Sequence, residues 1–256
     1  RYVVLAVPVS IFWRLGILLV KNQPSSEKMR VLVVAGHPDD EALGCAGTIL
    51  KHVASGDTVH VIFMTNGVDS RDTSSIKDIE NREKEAQKAA DILEITSVQN
   101  FDFPDNKMDS VPLLDVIKKI EKKIADLQPE IIYTHHIGDL NIDHQVTHKA
   151  VMSACRPQPG FCVKEIYAFE VLSSTEWQTP GYLSFVPNVY VDISSYIKKK
   201  QKVLDAYSYE MRPEPHTRNL KNLKVLVIGE VIIDQYNFCE PLGKSGKDPI
   251  MMFRNV

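Results

Sequence analysis

Cysteine is scarce and unpaired: Cys45, Cys155, Cys162 and Cys239 are scattered through 256 residues with no Cys-x-x-Cys spacing. That pattern argues against a disulfide framework and a cysteine-built zinc site, and it suits a reducing, cytoplasmic setting. No Gly-x-Gly-x-x-Gly turn follows the first apolar strand, so a dinucleotide pyrophosphate has no cradle there. Gly243-Lys-Ser-Gly-Lys247 is no P-loop either, because Phe238 stands where that loop needs its first glycine. With a formal net charge of −3 and neither a basic patch nor an aromatic platform, nucleic acid is not expected as a partner. The one long apolar run, residues 2–20, is interrupted by Pro8 and Arg14 and followed by a Pro-Ser-Ser linker. A spanning helix needs about 20 apolar residues, and a central arginine costs roughly 2.5–3.5 kcal/mol on insertion scales. Residues 1–28 are therefore expected to be an upstream extension or a piece of another domain. A membrane anchor through residues 2–20 is the alternative.

What is present reads as a globular α/β chain. Hydrophobic residues make up 44% and charged residues 25%, enough for one sizeable core. Strands are expected at Arg30–Gly36, Thr58–Thr65, Val98–Phe103, Glu130–Thr134, Ile166–Val171 and Val189–Ile193. Between and after them the apolar spacing predicts helices over Gly44–Ser55, Lys77–Leu93, Val111–Leu127, from about His144, and Ser195 to about Tyr209. This β-α alternation implies parallel pairing with right-handed crossovers.

Two strand ends carry the chemistry. Val31-Leu-Val-Val-Ala-Gly-His-Pro-Asp-Asp-Glu41 is an inner-type strand running into a histidine and three carboxylates. Ligands in open α/β sheets bind beyond such carboxyl ends, which places His37, Asp39 and Asp40 where a site is expected. Ile131-Ile-Tyr-Thr-His-His-Ile-Gly-Asp-Leu-Asn-Ile-Asp-His144 repeats the design. Imidazole and carboxylate from neighbouring strands suit a hard-to-borderline divalent ion with a position left for water. Arg71, after the second strand, and Trp177, in the Glu170–Trp177 stretch, are candidate substrate contacts; a solvated loop arginine and a core tryptophan are the plain alternatives. Glu41 is expected to serve the start of a helix rather than the reaction.

His37-Pro-Asp-Asp-Glu41 and Asn141-Ile-Asp-His144 resemble the two signature blocks of the LmbE-like, or PIG-L, metal-dependent de-N-acetylases, over roughly Met29 to Asn219. The resemblance implies a Rossmann-like, three-layer α/β fold with a mostly parallel sheet. It also implies a hydrolase that removes the acetyl group from an N-acetylglucosamine-type sugar or its conjugate. It further implies one zinc ion, with Fe2+ as another candidate, held by His37, Asp40 and His144. Asp39 would be the general base. Where much of the family has histidine, this chain has Asn141, so either Asn141 or one of His135 and His136 is expected to stabilise the intermediate. The following Asp143 would hold residue 141. A phosphoesterase on the same site and an inert carbohydrate-binding relative are the competing readings. A homo-oligomer is compatible with the sequence. Residues 29–222 are expected to form the deacetylase domain. Residues 223–256 would be an incomplete fragment, Lys224–Tyr236 being similar to the first strand of PfkB-type sugar kinases.

Overall fold

The computed structural model describes residues 28–70, 75–211, 216, 230–237, 239–244 and 251–255. Strand β1 (Arg30–Ala35) is an inner strand of a sheet that has seven strands among the described residues. It pairs in parallel with β2 (Thr58–Phe63) on one side and β4 (Ile131–His135) on the other. Strand β3 (Ser97–Asn100) extends the sheet beyond β2, and β5 (Glu165–Phe169) beyond β4, both in parallel. The order continues with β7 (Glu230–Asn237), antiparallel to β5, and then β6 (Val189–Val191), antiparallel to β7. Strands β8 (Cys239–Lys244) and β9 (Met251–Asn255) form a separate two-stranded sheet.

The pleat divides the core into two layers, since successive side chains of a strand point to opposite faces. Val31, Val33 and Ala35 pack with Leu43, Ile49, Ala89 and Leu204, which come from helices on one face. These helices are α1 (Asp40–Gly44), α2 (Ala46–Ala54), α3 (Ile76–Leu93) and α6 (Ile197–Ala206). Leu32 and Val34 pack on the other face with Val116 and Ile120 of α4 (Leu113–Leu127) and Val151 of α5 (Ile142–Ala154). A strand with both faces covered must be apolar throughout, which is why β1 reads as an unbroken hydrophobic run. The expected three-layer, mostly parallel α/β architecture is the observed one.

Differences from the expected elements are local. The first helix starts at Asp40 instead of Gly44 and breaks at Cys45, whose φ of −138° separates α1 from α2. The final helix of the α/β unit is shorter than expected, preceded by a 3-10 turn at Ser194–Tyr196. Cys45 itself is fully buried as a packing residue. Residues 1–27 lie outside the described residues. Among the described residues no helix is long and apolar enough to cross a membrane. The expected kinase-like fragment, residues 223–256, falls partly outside them too. Its backbone is described only at β7, β8 and β9, and β7 joins the main sheet.

Candidate metal centre

Five loops leave the carboxyl ends of β1 to β5 at one end of the sheet, and each contributes to a single buried cluster. The chain turns sharply after β1, and Gly36 makes the turn compatible with a close neighbour. A Cβ on Gly36 would lie 2.8 Å from Cδ2 of His144. His37 follows, with Nδ1 3.1 Å from Nε2 of His144 and 3.4 Å from Oδ2 of Asp40. The same Asp40 oxygen lies 3.2 Å from Nε2 of His144. Two imidazole nitrogens and a carboxylate oxygen thus converge from the end of β1, the start of α1 and the start of α5, forming one of three such groups among the described residues that could hold a metal ion.

Other carboxylates orient the rings. His37 Nε2 faces Asp143 at 3.1 Å and Asp105 at 3.2 Å. His144 Nδ1 faces Asp139 at 3.1 Å. Asp139 is fixed in turn by the hydroxyls of Ser174 and Thr175 and by the Asn141 N–H. Carboxylate–imidazole pairs of this kind fix ring tautomer and orientation around a metal. Burial favours neutral rings and neutral acids, and here it is outweighed. The carboxylates hold His144 up at about 9 and His37 well above its ordinary value. Facing imidazoles hold Asp105 and Asp139 below the usual carboxylate range.

This donor set fits a divalent ion. Asp40 Oδ1 is buried with no hydrogen-bond partner. Asp39, Asp40, Asp105, Asp139 and Asp143 are all buried within this one cluster. Concentrated buried negative charge is costly unless cations balance it. Mixed imidazole and carboxylate ligands match zinc or Fe2+ better than calcium or magnesium.

Asp39 stands beside the ligands with a backbone φ of 125° and ψ of −22°. Such a conformation costs a non-glycine residue about 1–3 kcal/mol and persists only where its surroundings enforce it. Asp39 lines an open cleft together with His37, Arg82, Asn106, Asn141, His144 and Glu210.

The remaining expected residues are distributed unevenly. Asn141 reaches the cleft wall and caps α5, its Oδ1 accepting the Asp143 N–H at 2.8 Å while its amide donates to Asn106 at 3.0 Å. The Asp143 carboxylate does not hold the side chain at position 141: its oxygens take His37 and the N–H groups of Asn106 and Met108. His136, one of the residues expected to stabilise the intermediate, packs towards the segment around Leu183. Its Nε2 is committed to the Leu183 carbonyl at 2.7 Å and its ring packs against Phe185. His135 is no substitute, because its Nε2 accepts the Gly36 N–H at 2.7 Å. Burial and the neighbouring His144 pull it down to about 4, leaving it neutral. His148 bonds the His135 carbonyl and is a structural residue. Trp177 is half-exposed, its ring 6.0 Å from that of His216. Arg71 lies outside the described residues.

Sequence reasoning missed Asp105, Asp139, Arg82 and Glu210. Asp105 follows the expected strand Val98–Phe103 by two residues and Asp139 lies inside the Ile131–His144 stretch, so their placement was available as a signal. Arg82 carries a fainter one, an arginine on the same helical face as Ala86, Ala89 and Leu93. Nothing in the sequence singles out Glu210.

The segment that carries this cluster is similar to known proteins. Residues 32–155 match the family model described as PIG-L, GlcNAc-PI de-N-acetylase. An uncharacterised deacetylase of Escherichia coli K12, YaiS, is 27% identical over 174 residues, covering 66% of this chain and 84% of that protein. A probable N-acetyl-alpha-D-glucosaminyl L-malate deacetylase 2 of Bacillus anthracis is 26% identical over 187 residues, covering 70% of this chain and 80% of the other. The solved structure of N,N'-diacetylchitobiose deacetylase from Pyrococcus horikoshii has the same fold. Its TM-score is 0.66 at 19% identity, and the match covers 89% of this chain and 91% of that one.

Proposed function

We propose that this protein, whose residues 32–155 match the PIG-L family model, hydrolyses the acetamide of an N-acetylglucosamine-type sugar or conjugate. His37, Asp40 and His144 hold a divalent ion, zinc by preference. The single observation that carries the reading is the convergence of those three ligand atoms beside a strained, cleft-facing Asp39. When bound, the ion supplies Lewis-acid activation of a water and of the amide carbonyl.

The chain's own residues do the rest. Asp39 is adjacent to a ligand without being one of the three, and its carboxylate takes a proton from the attacking water. It then returns a proton to the amine nitrogen as the C–N bond breaks, the exchange of roles expected of a general acid–base group. Asn141 presents a neutral amide donor at the cleft wall for the oxygen that becomes negative, since asparagine can donate but cannot carry the charge of a histidinium. Asp105 and Asp143 hold the His37 ring, and Asp139 the His144 ring, so both metal-facing nitrogens stay fixed. The polar cleft suits a sugar, and the relative named for glucosaminyl-malate deacetylation supports that substrate class.

The test is acetate release from a panel of N-acetylglucosamine conjugates by zinc-loaded and chelated protein. Asp39→Asn is expected to keep its zinc and lose turnover by roughly 100-fold or more. His144→Ala is expected to lose both. Near-normal acetate release by Asp39→Asn would remove it as the base, and phosphate release from a phosphoester without acetate release would favour a phosphoesterase.

A further inference from the structure

The strained Asp39 peptide is gripped from both sides, by Arg82 of α3 and by nearby Glu41. On its amino side, the Pro38 carbonyl accepts a hydrogen bond from Arg82 Nη1 at 2.9 Å. At its own N–H, Asp39 donates to Oε2 of Glu41 at 3.1 Å. Both grips are secured from the end of α6. The Tyr207 hydroxyl donates to Oε1 of Glu41 at 2.7 Å. Glu210 pairs with Arg82 Nη2, and Glu85 lies 3.7 Å from Arg82 Nε while accepting the Ser208 hydroxyl and the Tyr209 N–H. Arg82, Glu41 and Glu210 are buried to within 6% of full coverage, and Tyr207 is completely covered.

A buried network of this kind is expensive to assemble and gains little stability over apolar packing. Its cost is understandable if it secures a geometry that the backbone would otherwise relax. An unsupported aspartate at a φ of 125° would return to an ordinary conformation and swing its carboxylate out of line.

We propose that Glu41 with Tyr207, and Arg82 with Glu210, form a two-sided clamp that holds Asp39 in its strained conformation and so sets the position of the general base. These four are positioning residues, and the inference rests on the assignment of Asp39 made above. It gives residues 207–210 a part in the reaction although they lie beyond the matched family segment, which ends at residue 155. It also separates two adjacent aspartates by function: the clamp grips the peptide of Asp39, whereas Asp40 is held by the His37 N–H at 2.8 Å.

The experiment uses the full-length, zinc-loaded chain and the N-acetylglucosamine conjugate turned over fastest in the panel. Tyr207→Phe removes one hydroxyl and leaves the ring that fills the core. It is expected to lower kcat roughly 10- to 100-fold, as a displaced catalytic group does, with KM and zinc stoichiometry unchanged. Amide hydrogen exchange in the His37–Glu41 segment is expected to quicken. Arg82→Gln is expected to act alike, but it strips Glu85 and Glu210 of their cation and can prevent folding. Arg82→Lys, which keeps the charge without the fork, is expected to recover part of the loss. Wild-type kcat and exchange in Tyr207→Phe would overturn the clamp, and so would loss of zinc from that variant, which would put the support on Asp40. Asp39→Asn in parallel distinguishes the two failures: full activity there overturns the base, whereas an inactive Asp39→Asn beside an unaffected Tyr207→Phe overturns only the clamp.

Discussion

Packed against Asp39 and beneath the Tyr207 hydroxyl, the Glu41 carboxyl is pushed up to about 8. Burial is the main cause, the charge of Asp39 adds to it, and the hydrogen bond from Tyr207 opposes it. A carboxyl raised in this way binds its proton more tightly in the native state than in the unfolded chain. The associated stability is therefore fully present below about pH 4.5 and is lost as pH rises towards 8. In metal-free protein the urea midpoint is expected to fall across that window, and Glu41→Gln is expected to flatten the fall. The same slope in the variant would mean that Glu41 is already ionised at the acid end. This residue was expected to serve only a helix start. It does lie in the first turn of α1, yet its two oxygens are spent on the Asp39 N–H and on Tyr207. The identities at positions 37 to 41 were legible because strand, turn and ligands are contiguous. Their partners were not, because Tyr207 and Glu210 approach through packing alone.

Among the elements, the junction of β1 with its following turn carries the tightest constraint. Gly36 is required there for a reason of space, since the His144 ring occupies the position a side chain would need. Gly36→Ala keeps every metal ligand and is expected to push that ring aside. Zinc affinity should then fall roughly 10- to 100-fold, the usual cost of disturbing a ligand's support, as read by competition with a chelating dye. Unchanged affinity would mean that the turn absorbs the methyl group by shifting as a unit. Helix α3 shows a complementary economy. Its capping box at Ser75 and Asp78 fixes its start, and its inward face then delivers Arg82 to the Pro38 carbonyl. Periodicity revealed the helix, but a charged residue on the inner face is invisible to a pattern that counts apolar positions.

At the scale of the whole molecule, the proposed centre draws its candidate ligands from two strand ends more than a hundred residues apart and supports from three further loops. An ion bound there stabilises the native state alone, by about 2.7 kcal/mol at a free concentration 100 times its dissociation constant. Chelation is thus expected to lower the thermal midpoint, and added zinc to restore it in a concentration-dependent way. A midpoint indifferent to chelation would contradict a centre built from folded-state ligands. The sheet order β3-β2-β1-β4-β5 makes this convergence necessary, because β1 and β4 are neighbours and their carboxyl ends open at the same edge.

Read alone, the sequence determined the α/β class, the strand that begins it and the types of residue at the two ligand-bearing strand ends. Each of these depends on contiguous residues: apolar runs long enough for a covered strand, helical spacing, and imidazole beside carboxylate in a turn. Tertiary structure alone decided what those residues do to one another. It turned His136 towards Leu183, gave Asp143 to His37 instead of residue 141, set Asp139 behind His144 and brought Arg82, Tyr207 and Glu210 around Asp39. The physical reason is that hydrogen bonds and charge pairs act over a few ångströms. Distance along the chain says nothing of such contacts until the sheet has closed and the helices have packed.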